Sequence, residues 1–143
     1  MKNRRILILL IAMTVTAASA CSRLSHSTPT ATLKVFYEAS KKKDASGMKK
    51  SLSKGSLAMF EKQAKEQNKP VDDLLTKVDT NTPDKMPETR NEKITGDTAT
   101  LEVKNDQNGN WDTLPFVKED GEWKIAFDKF VDELMKGLGT PNK

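Results

Sequence analysis

The chain has 143 residues and 24 Lys and Arg against 20 Asp and Glu, a formal charge of +4. Three of the 24 cations, Lys2, Arg4 and Arg5, and none of the 20 acids fall before Cys21. The remainder carries 21 against 20, a net of +1, and that near-neutrality removes the case for a nucleic-acid partner. One cysteine excludes an internal disulfide, and one histidine leaves no cysteine–histidine cluster to hold a metal.

The amino end reads as a secretory leader over residues 1–20. Lys2, Arg4 and Arg5 form a positive region, followed by an apolar run from Ile6 to Val15 broken only by Thr14. As a helix that run reaches roughly 15 Å, half of a hydrocarbon core, so it is too short for an ordinary span. Ala18-Ser19-Ala20 satisfies the A-x-A rule, and cleavage between Ala20 and Cys21 by the ordinary peptidase would release a soluble protein. Followed by cysteine, the same residues resemble the bacterial lipobox, although Ala18 replaces the more usual leucine. That resemblance implies palmitate-type acylation of Cys21 and membrane anchoring, at the outer membrane in a Gram-negative host because Ser22 is not aspartate.

Residues 21–29 read as a short polar tether reaching at most about 29 Å, with His26 a solvated linker residue. A single domain is expected over 30–138 and a frayed tail over 139–143. Thr28-Pro29 is a helix start, and Leu33, Phe36, Tyr37 and Ser40 fall at helical spacing over 30–42. Asp44 caps a second helix carrying Met48 and Leu52 and ended by Lys54-Gly55. Ser56 caps a third with Leu57, Phe60 and Ala64 on one face, and Val71, Leu74, Leu75 and Val78 suggest a fourth.

Residues 79–87 read as a loop, after which the period changes from helical to alternating. Strands are expected over Glu88 to Thr95, Thr98 to Lys104, Trp111 to Lys118 and Glu122 to Phe127, with turns at Gly96, Gly109 and Gly121. Pro115 suggests an edge or bulge in the third. A last helix over 129–136 presents Phe130, Val131, Leu134 and Met135. Helices first and an antiparallel meander second argue an α+β fold with helices packed on one sheet face.

Val35-Phe36-Tyr37-Glu38-Ala39, Ile94-Thr95-Gly96-Asp97-Thr98-Ala99 and Gly121-Glu122-Trp123-Lys124-Ile125 together resemble small bacterial lipoproteins of the NTF2-like, cystatin-like group, the DUF4878 type in particular. The resemblance implies a cone in which a curved sheet wraps a cavity beneath the helices. Phe36, Tyr37, Phe60, Trp111 and Trp123 are the candidates to line it. The expected function is a non-enzymatic module binding an apolar small molecule or an envelope protein, without cofactor. The alternative is a small isomerase or hydrolase using Tyr37 and a cavity carboxylate. Asp106, Asn108, Asn110 and Asp112 alternate like calcium ligands, but Trp111 and Val117 stand where glycine and glutamate would be required, so a plain hairpin loop is expected.

Overall fold

The computed structural model describes residues 26–77 and 83–137. The leader, Cys21, Val78 and the tail from 138 lie outside them. Four helices, α1 (Pro29–Lys41), α2 (Ala45–Ser51), α3 (Lys54–Glu66) and α4 (Val71–Lys77), precede four strands and a closing helix. The strands β1 (Thr89–Thr95), β2 (Thr98–Lys104), β3 (Trp111–Glu119) and β4 (Glu122–Ile125) form one antiparallel sheet in the order β1-β2-β3-β4, and α5 (Phe127–Gly137) follows. This is the expected α+β architecture.

Local chemistry sets most of the boundaries. The Thr28 hydroxyl accepts the Ala31 amide at 3.0 Å, and Pro29 opens α1 where its missing N–H costs nothing. Asp44 accepts the Gly47 amide at 3.0 Å to start α2. A Cβ on Gly47 would stand 2.9 Å from that of Ala39, so glycine permits the close crossing of α1 and α2.

Four boundaries differ from expectation. Leu52 is extended rather than helical and bridges in parallel to Ile125. Lys54-Gly55 opens α3 instead of closing α2, because Ser53, not Ser56, accepts the first helical amide. Phe127 begins α5 rather than ending β4. The tether ends before His26: its carbonyl accepts the Trp123 amide at 2.9 Å, and Pro29 is buried. The sequence of the segment is polar, but backbone pairing to β4 holds it on the domain.

Pro115 lies in an interior strand, paired with Thr100 without a register shift. Its carbonyl accepts the Ala126 amide at 3.0 Å, so both its backbone groups face the β4 side. There β4 has already ended at Ile125, and the missing N–H removes no bond to β2. The irregularity falls instead on β1, between Arg90 and Lys93, where Asn91 takes φ 52° and the edge strand bends.

The core lies between the inner sheet face and the helices. Leu101, Phe116, Ile125 and Trp123 meet Leu33, Met48, Leu52 and Leu75, with Phe36, Leu57, Phe60 and Phe127 packed at its margin. Thr32 donates to the Trp123 carbonyl at 3.0 Å from a fully buried position, tying α1 to β4.

Candidate functional site

A cavity of about 670 Å³ opens on one side of the domain, within the usual range for small-molecule sites. All of its walls are helical. Phe36 and Ser40 come from α1, Met48 from α2, Met59 and Phe60 from α3, Leu75 from α4, and Phe127, Phe130 and Val131 from α5. The sheet contributes no side chain to these walls and instead lines the smaller hollow described next. Lys62, Gln63 and Glu66, all exposed on α3, form its polar edge.

An aromatic cluster floors this space. The Phe127 ring meets Phe36 at 5.9 Å and Phe60 at 6.2 Å between centroids, both edge to face. Phe127 and Phe130 also wall a second cavity of about 320 Å³, bounded by Pro83, Pro87, Val103, Leu114 and the loop after β2. The start of α5 thus stands between two hollows.

A polar latch fixes that start. Ser53 and Ser56 both donate to Asp128 Oδ1, at 3.1 and 2.9 Å, and their hydroxyls lie 2.8 Å apart. Ser56 also reaches the Ile125 carbonyl at 3.1 Å. One carboxylate in the first turn of α5, the Ser53 cap of α3 and Ser56 in its first turn therefore satisfy each other in a buried setting. A Cβ on Gly55 would fall 2.5 Å from Asp128 Oδ2, so that position must stay bare for the carboxylate to seat.

The five expected lining residues separate. Phe36 and Phe60 face the larger cavity. Tyr37, half-buried, is not among its walls and donates its hydroxyl to the Pro83 carbonyl at 2.9 Å. The sole carboxylate on the cavity boundary is Glu66, at the exposed edge. Trp123 is 3 % exposed in the core. Trp111 falls on the opposite sheet face, since side chains alternate along β3 and Leu114 and Phe116 point inward. The Arg90 guanidinium lies 3.9 Å above its ring and also donates to Glu102 at 2.6 Å. That bond holds the Glu102 carboxyl below its ordinary value.

Two site features escape sequence reading. Leu75, Met48 and Met59 look like ordinary core positions in a helical repeat, and nothing in the spacing marks which face a hollow. His26 gains partners that a tether would not supply: its Nε2 lies 3.2 Å from Ser51 Oγ and its Nδ1 4.0 Å from Glu122. Burial, and then the Lys124 charge, lower its pKa below 6.5. The Ser–His–acid arrangement is inaccessible, because Ser51 is fully buried and donates to the Gly47 carbonyl. In the loop after β2, the Asn105 and Asn108 side-chain oxygens accept the Gln107 and Asn110 amides.

The family model described as "putative lumazine-binding" matches residues 25–130, from the residue before His26 through Phe130. The chain belongs to that family. Its members' NTF2-like type of domain accounts for the helices-first order, the four-stranded curved sheet and the short closing helix. No curated protein and no solved structure matches the chain. Among the described residues, no helix is long and apolar enough to cross a membrane.

Proposed function

We propose that this protein is a non-enzymatic ligand-binding module of the cell envelope, tethered to a membrane by lipid on Cys21. The observation that carries the binding role is the 670 Å³ hollow, walled by Phe36, Met48, Met59, Phe60, Leu75, Phe127 and Phe130. Its depth is apolar and its polar groups gather at one edge, the distribution that buries most of a small molecule while orienting one end. The family's printed description adds small-molecule binding as a family trait. Tyr37 and Glu66 do not meet in the hollow, which favours binding over acid–base work.

Anchoring rests on the leader and on the position of Cys21 after Ala18-Ser19-Ala20. Two acyl chains exceed what stable membrane attachment requires. Because the chain pairs with β4 from His26 onward, at most a handful of residues separate the lipid from the folded domain.

Native mass spectrometry of the full chain extracted from its own membranes tests the binding role. A non-covalently bound small molecule is expected, and consistently empty protein would remove the proposal. Labelled palmitate tests the anchor: incorporation should vanish in Cys21→Ala, and an unlabelled wild type would overturn the lipid assignment.

A further inference from the structure

The walls of the larger cavity specify a ligand class. A lumazine-type ring carries several ring nitrogens and carbonyl oxygens, and each needs a partner when it leaves water. The buried lining offers a single polar side chain, Ser40. The other polar groups, Lys62, Gln63 and Glu66, are exposed and confined to one edge on α3. A flat heterocycle seated among the phenylalanines would leave most of its hydrogen-bonding groups without partners. A flexible aliphatic chain would leave none.

A second hollow adjoins the first. Phe127 and Phe130 wall both the 670 Å³ and the 320 Å³ hollows, so the two are neighbours separated by side chains of one helical turn. Residues 127 and 130 are three apart and project from the same face of α5. Beyond them α5 buries nothing: Val131, Leu134 and Met135 are 40 %, 53 % and 54 % exposed. The exposed polar groups of the boundary all lie on α3, and Phe127 and Phe130 stand between the two hollows.

Resting on the ligand-binding reading above, we infer that the cavity takes a long-chain monocarboxylate, a fatty-acid-class amphiphile. Its chain runs from α3 toward Phe130 and its carboxylate lies at Lys62. Lys62 is the one cation on the cavity boundary, and it makes no ion pair among the described residues. Phe130 acts as the end wall and so measures chain length.

The test is competitive native mass spectrometry of the full chain with fatty acids from octanoate to stearate, with palmitoyl lysophosphatidylcholine and with lumazine. One monocarboxylate should bind per chain, each methylene that fits adding about fourfold to affinity until the wall is met. In Phe130→Ala the optimum should move to a longer chain, because the second hollow becomes reachable. Lys62→Ala should weaken palmitate several-fold without moving the optimum. Melting curves confirm that both variants fold, and Phe130→Leu serves if the alanine variant does not.

Preferential binding of lumazine, or an optimum unmoved in folded Phe130 variants, would overturn the chain-like ligand. Tighter binding of the lysophospholipid would overturn the carboxylate end. In each of those cases the cavity still binds, and the broader proposal survives. If no probe binds and protein taken from its own membranes is also empty, both fall together.

Discussion

Two regions of the molecule, one around β4 and one around α5, differ in how completely they are filled. At the β4 end, Ile125 and Ala126 are 0 % exposed, Leu52 bridges to Ile125, and Thr32, Ser53 and Ser56 each satisfy a buried polar partner. At the α5 end, Phe36, Met59, Phe60, Phe127 and Phe130 stay half-buried around an open hollow, and the second half of α5 covers nothing. One end is closed by packing and satisfied hydrogen bonds; the other keeps apolar surface uncovered. A domain of this size needs one such closed region to fold, and only the unfilled region can admit a ligand. The latch at Asp128 joins the two, fixing the root of α5 while leaving its far half free of packing.

Substitutions should separate the ends by magnitude. Ile125→Ala, which empties the most enclosed site, is expected to cost about 2–5 kcal/mol in denaturant unfolding. Ser56→Ala leaves the Ile125 carbonyl with the Ser53 amide alone and removes one Asp128 contact, and should cost about 1–3 kcal/mol. Val131→Ser at the open end should stay within about 0.5 kcal/mol of wild type. Equal losses for Ile125→Ala and Val131→Ser would erase the distinction between the two ends.

A pH scan sharpens the same comparison at the closed end. His26 is held neutral by burial and by the Lys124 and Lys50 charges, against the opposing pull of Glu122. Its folded pKa lies below the unfolded 6.5, so the unfolded chain takes up the proton first as pH falls. The stability it contributes is therefore complete above about pH 6.5 and is lost as pH falls through the lower folded value. Thermal melts of His26→Gln should lack that acid-side decline, and parallel curves for both proteins would refute the packed placement of His26.

Much of this was legible in the chain itself. Asp44, Thr28 and the alternation of Ala99, Leu101 and Val103 act through local chemistry, and the structure places each as the pattern implies. The misread positions are those decided by distant partners. Leu52 fits a helical repeat but pairs with Ile125, and Ser56 resembles a cap although Ser53 fills that role. Pro115 reads as a strand edge, yet the neighbouring strand simply stops before needing its N–H. The cavity was harder still. Phe36 and Phe60 carry no mark that separates a wall from a core, and Trp111 lies across the sheet because a single step along a strand reverses the face.

The central claim is that the unfilled end is a ligand site. Met59→Trp adds bulk to a half-buried wall of the hollow and leaves the closed end untouched. Its most direct test compares bound small-molecule mass on wild type and on this variant, both as full chains, by native mass spectrometry. The account predicts an occupied wild type and at least a tenfold loss of occupancy in a variant that melts normally. Equal occupancy of the two proteins would contradict it.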